Sequence, residues 1–96
     1  MDKENNYHLF EWDEEKEKIN IRKHGISFTT AAKVFDDANR IEYFDAAHSD
    51  EEERYIVLGL VRKVLFVVCT DRNDATRIIS ARKATPNERR AYYGHY

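Results

Sequence analysis

The apolar positions along the chain repeat first at strand spacing, then at helical spacing, and then at strand spacing again. His8-Leu9-Phe10-Glu11-Trp12 predicts a short strand. Asp13 can cap a helix running to Lys23 or His24, where Gly25 supplies the usual stop. Ser27 can cap a second helix in which Phe28, Ala31, Ala32 and Phe35 fall at i, i+3, i+4 and i+7 and form one apolar stripe, with Phe35 facing the core. Four segments rich in Ile, Val, Tyr and Phe then read as strands: Arg40–Phe44, Tyr55–Val61, Val64–Thr70 and Thr76–Arg82. They predict an antiparallel meander. Tyr55–Val61 and Val64–Thr70 are apolar at both alternating phases, as in central strands covered on both faces. The tight connection Arg62-Lys63 lacks the glycine that a hairpin favours, and so does Asn73-Asp74. Thr85-Pro86-Asn87-Glu88 joins an N-cap, a proline at the first helical position and a glutamate three residues after the cap, which predicts a last helix. The fold class expected is α+β: a short N-terminal strand, two helices, a four-stranded antiparallel meander and a C-terminal helix, with Asp45–Glu53 as an acidic loop.

Ninety-six residues, 42% of them hydrophobic, suffice for one core, so residues 1–96 are read as one domain with its core at about 9–92. No apolar run approaches the roughly 20 residues that a membrane span needs, and Met1–Asn6 is too polar for a signal peptide. A cytoplasmic protein with no membrane partner is expected. The single cysteine, Cys69, lies within Val67-Val68-Cys69-Thr70 and reads as a buried thiol, with no intrachain disulfide to make. The net charge of -2 hides an asymmetry: residues 1–53 carry 15 acids and 7 bases, residues 54–96 carry 9 bases and 3 acids. The second half therefore offers a basic face for phosphate or for an acidic protein.

Three glycines cannot build a phosphate-binding loop, and neither a Cys/His zinc pattern nor a nucleophile elbow is present. Ser80, between Ile79 and Ala81 in a strand, has no base beside it and reads as a packed hydroxyl. Two stretches carry the candidate chemistry. In Lys23-His24-Gly25 the cations favour a helix C-terminus, while the histidine could move a proton and the lysine hold a phosphate. In Arg77-Ile78-Ile79-Ser80-Ala81-Arg82-Lys83-Ala84, strand alternation sends Arg77 and Lys83 to one face and Arg82 to the other unless a bulge intervenes. Arginine suits bidentate phosphate contact and the stabilisation of charge developing at phosphorus. Glu88 belongs to the capping box, Tyr92 follows on its helix face, and Arg89, Arg90, Tyr93 and His95 complete a basic, aromatic tail suited to unpaired bases. Asp45, His48 and Asp50 could ligate a metal, but such a loop beside Glu51-Glu52-Glu53 reads first as solvated charge, and no metal site is expected.

The run Phe10-Glu11-Trp12-Asp13, then Lys16, Asn20, Lys23-His24-Gly25-Ile26-Ser27-Phe28, Ala31 and Val34-Phe35-Asp36-Asp37, resembles the BrnT family of bacterial type II toxins. The second half agrees through Asp45, His48, Glu53-Arg54, Arg77–Ala84, Glu88-Arg89-Arg90 and Tyr92. The resemblance covers roughly Leu9 to Tyr92. It implies a RelE-like fold and a ribonuclease toxin that inhibits translation without a cofactor. It also implies neutralisation by a BrnA-type ribbon-helix-helix antitoxin, with operator DNA bound only through the complex of the two. On that basis Lys23, Arg54, Arg77 and Arg82 are candidates for phosphate contact, His24, Glu88 and Tyr92 for proton transfer, and Lys83, Arg89 and Arg90 for RNA binding. The reaction expected is metal-independent cleavage through a 2′,3′-cyclic phosphate. Two rival readings are a DNA-binding regulator, with the helices around Gly25 as a helix-turn-helix, and an inactive docking module.

Overall fold

Helix α1 (Glu14–His24) begins where the Asp13 carboxylate accepts from the Lys16 amide, and it ends at Gly25, whose φ of 71° closes the last turn through a bond from its N–H to the Ile21 carbonyl. The computed structural model describes residues 9–49 and 52–95, so His8 of the expected first strand and Asp50 of the acidic loop lie outside the described residues. Ser27 caps α2 (Phe28–Ala32), and a turn of 3-10 helix at Lys33–Asp36 carries the apolar stripe on to Phe35.

The remaining elements are β1 (Leu9–Glu11), β2 (Ile41–Phe44), β3 (Tyr55–Val61), β4 (Lys63–Arg72), β5 (Ala75–Lys83) and α3 (Pro86–Gly94), with a short 3-10 turn at Ala46–His48. The meander forms as expected, and the N-terminal strand joins it: the sheet has five strands in the order β1-β5-β4-β3-β2, with β1 parallel to β5 and every other pair antiparallel. The two hairpins that lack glycine place Arg62 at φ 66° and Asn73 at φ 57°. Asparagine tolerates that region; arginine there costs about 1 kcal/mol.

Both faces of the central strands are covered. Val57, Leu65, Val67, Cys69, Ile78 and Ala81 meet Ile26, Phe28, Ala31 and Val34 from the α1–α2 side. Burial holds the Cys69 thiol protonated, its pKa pushed up to about 12. The 3-10 turn sits hard against β3, since a Cβ at Gly59 would lie 2.6 Å from Val34 Cβ. On the opposite face Leu58, Val64 and Ala84 pack under Tyr92 of α3, with Ile41 and Phe66 beside them. Among the described residues no helix is long and apolar enough to cross a membrane.

One residue joins the helical layer to the sheet edge. β1 covers β5 only from Ala75 to Arg77, which leaves the rest of that edge without a strand. There the buried Asn20 side chain of α1 acts as a piece of strand. Its amide donates to the carbonyls of Ile26 and Ala81, both at 2.9 Å, and accepts from the Ala81 N–H at 3.0 Å. Asn20→Ala strands three buried backbone groups and should destabilise the fold by about 3 kcal/mol, read as a lower midpoint with an unchanged slope in urea unfolding. A loss below about 0.5 kcal/mol would mean that water replaces the amide.

Candidate functional site

The position of the arginines is decided by a bulge in β5. Val68 pairs with Ser80 and Cys69 with Ile78, so Ile79 has no partner on β4. The extra residue reverses the alternation. Arg77, opposite Thr70, and Arg82, opposite Phe66, therefore share the α3 face of the sheet, and Lys83, opposite Leu65, turns to the helix face. Plain alternation, which parts Arg77 from Arg82 and unites Arg77 with Lys83, is corrected by the bulge.

Two clusters follow on the shared face. Around Thr70, Arg77 Nε lies 3.2 Å from Glu11 Oε2, its partner across the parallel β1–β5 pair. Arg54 lies one step before β3 and so on the side opposite Tyr55; its guanidinium is 3.7 Å from Glu52. The Nε groups of Arg54 and Arg77 are both buried, and neither directs a hydrogen bond at an acceptor among the described residues. The two side chains stay 32% and 28% exposed, so the outer N–H groups of two guanidiniums on one sheet face are open to an anion.

Around Phe66, Arg82 lies 3.8 Å above the ring centroid and clasps Glu88 with two bonds of 2.8 and 3.0 Å. Glu88 also accepts from the Thr85 N–H, completing the capping box of α3. The Arg82 guanidinium holds the Glu88 carboxyl below its ordinary range, and the pairing raises Arg82. Tyr43 of β2 completes this cluster. Burial raises its phenol, as does the Glu88 charge, so it stays protonated as a donor.

The other expected site residues are placed elsewhere. Tyr92 is 1% exposed and its hydroxyl donates to Asp37, so it packs α3 onto the sheet. Burial opposes ionisation of Asp37, but the bonds from Tyr92 and from the N–H groups of Leu60 and Asn39 keep its carboxyl low. Arg89 and Arg90 are exposed on α3, where Arg89 donates to the Ala84 carbonyl and Arg90 to Asn87. Lys23 and His24 end α1 beside the outer edge of β5, next to Ile79 and Ser80. In the acidic loop His48 Nδ1 sits 3.1 Å from Asp45, and no three metal-ligating side chains gather among the described residues. The five-residue α2 buries Phe28 and Ala31 against the sheet and offers no recognition helix for a DNA groove. Glu11, Tyr43 and Phe66 were not singled out from the sequence. Glu11 gains its meaning only from the parallel pairing with β5, and Phe66 only from the bulge.

No curated protein matches the chain. Among solved structures, the 1.1 Å crystal structure of the Brucella abortus ribonuclease toxin BrnT matches with a TM-score of 0.63 at 24% identity, covering 82% of this chain and 99% of that one. At that identity the likeness speaks for the fold. The family model described as "Ribonuclease toxin, BrnT, of type II toxin-antitoxin system" matches residues 12–88, from the residue before the α1 cap through the partner of Arg82. The chain belongs to the BrnT family of ribonuclease toxins.

Proposed function

We propose that the chain is a metal-independent endoribonuclease whose reacting phosphate sits at Arg54 and Arg77. The observation that carries this reading is the pair of part-exposed guanidinium groups on one sheet face, beside a carboxylate. In the reaction a ribose 2′-oxygen attacks the adjacent phosphorus and the P–O5′ bond breaks, leaving a 2′,3′-cyclic phosphate and a 5′-hydroxyl. Glu11 takes the 2′-proton, water returns one to the leaving 5′-oxygen, and Arg54 and Arg77 stabilise the charge that builds on the non-bridging oxygens. Arg82 lies about 13 Å from Arg77 along the sheet, four residues of β4 away, and holds a flanking phosphate. Phe66 and Tyr43 offer ring faces to the bases beside it. Glu88 orients Arg82; its carboxylate, engaged on both oxygens and held ionised, is a poor base near neutrality. A BrnA-type ribbon-helix-helix antitoxin neutralises the toxin by covering this face, and the complex of the two represses its own operator. The chain acts in the cytoplasm as a single domain.

Arg77→Ala should lower kcat for a defined single-stranded RNA by about 100- to 1,000-fold, and Arg77→Lys should recover only part, because the ammonium lacks the planar fork. Unchanged cleavage by a folded Arg77→Ala protein would remove the anion receptor from the mechanism, and a wild-type chain that cuts no RNA while binding its antitoxin tightly would favour the docking-module reading.

The orienting role of Glu88 has a separate readout. A carboxyl depressed in the folded state stabilises above its unfolded pKa, and that stability is lost as pH falls through the folded value. Wild type should therefore exceed Glu88→Gln in stability at neutral pH, with the gap closing at acid pH below the usual carboxylate value of about 4. A gap independent of pH would show that the ion pair contributes nothing that the neutral amide does not.

A further inference from the structure

Five Lys and Arg side chains and His24 gather in two cavities outside the arginine face. A cavity of about 180 Å³ beside the open edge of β5 is lined by Lys16, Lys23 and His24 of α1 and by Ile79 and Ser80 at the bulge. A second cavity, of about 230 Å³, lies on the helix face and is lined by His24, Arg62, Lys63 and Lys83, with Val61 and Leu65 at its floor. His24 lines both, so the two are neighbours at the C-terminal end of α1. No acidic side chain lines either one.

Two further observations set this surface apart. Arg54, Arg77 and Arg82 each face a carboxylate, whereas Lys16, Lys23, Arg62, Lys63 and Lys83 form no ion pair among the described residues, in a chain whose net charge is -2. Arg62 also holds the left-handed corner of the β3–β4 hairpin, at φ 66°, where glycine would sit without strain. The hairpin thus carries a guanidinium at a position where it costs about 1 kcal/mol.

The path also has a direction. Ser80 lies in the row between Arg77 and Arg82 on the arginine face, yet it lines the first cavity at the sheet edge. From there the cations run around the edge through Lys16, Lys23 and His24 to Lys83, Lys63 and Arg62. We propose that single-stranded RNA bound at the arginine face continues around the β5 edge and along this second surface, where the five Lys and Arg side chains contact the phosphates flanking the cleaved one and His24 lies between them. The inference takes RNA as the ligand from the proposed ribonuclease reading and adds a binding track on the opposite side of the sheet. A flexible polyanion fits the arrangement because the charges are strung along an edge rather than gathered in one patch, and counterion release favours such contacts at each phosphate.

The test measures binding alone, so it stands whether or not the chain cleaves. The probes are 2′-O-methyl RNAs, which lack the attacking hydroxyl, of three nucleotides and of about twelve, a length within the usual reach of single-strand sites. For the wild type the longer RNA should bind more tightly. In Lys63→Gln/Lys83→Gln that length advantage should fall about tenfold, and the log–log salt slope for the longer RNA should shrink by about 1.4, for two phosphate contacts. Lys16→Gln/Lys23→Gln, altered at the other cavity, should reproduce the loss and serves if the first pair does not fold. A length advantage and salt slope unchanged in both folded double variants would overturn the proposal. Unchanged RNA binding joined to lost binding of polyglutamate would overturn it in favour of an acidic protein partner.

Discussion

The outer edge of β5 has backbone groups that must find partners, and β1 is too short to supply them beyond Arg77. The Asn20 amide fills that deficit by pairing with both backbone groups of Ala81 and reaching the Ile26 carbonyl as well. One side chain thereby ties α1 and the loop that leads into α2 to the edge of β5. An apolar residue of similar shape would leave all three groups buried and unpaired, which is why the amide, and not hydrophobic packing alone, sets the relation between helices and sheet.

The bulge at Ile79 lies within the same stretch and decides which charged side chains share a face. Without it, Arg77 and Arg82 would point to opposite faces. With it, both reach the side where Glu11, Thr70, Phe66 and Glu88 are arranged, and Lys83 joins His24 and Lys63 on the other. A single inserted residue thus sorts the basic half of the chain into two surfaces of different character. In one, each arginine is held beside a carboxylate; in the other, lysines, His24 and Arg62 stand without one.

Much of the architecture was legible because its signals are local. Asp13, Gly25, Ser27 and the Thr85–Glu88 box act within a turn of their own position, and all four cap as their side chains dictate. The two central strands were legible because both of their phases are apolar. The parallel pairing of β1 with β5 was not, since three residues carry no register signal across more than sixty positions of chain. The bulge was foreseen only as an alternative to plain alternation, because Ile79 and Ile78 look alike in sequence while only Ile78 faces a partner. Tyr92 shows the same limit. Its spacing from Glu88 placed it on the right helix face, but that face turns into the sheet and spends the hydroxyl on Asp37. The family pattern named candidate residues without telling which of them meet.

The charge asymmetry between the halves also acquires a structural meaning. Several acids of the first half serve as partners to the backbone or to cations of the second: Glu11 to Arg77, Glu52 to Arg54, Asp37 to the Leu60 N–H and to Tyr92. Lys63, Lys83 and Arg62 of the second half, by contrast, line a cavity with no acidic side chain among its described lining residues. The most direct test of a ribonuclease that works through arginines is to incubate the purified wild-type chain with a defined single-stranded RNA, with and without EDTA, and to map the product ends. Cleavage that survives EDTA and leaves 2′,3′-cyclic phosphate and 5′-hydroxyl ends is the result expected; cleavage that EDTA abolishes, or products with 5′-phosphate ends, would contradict the account.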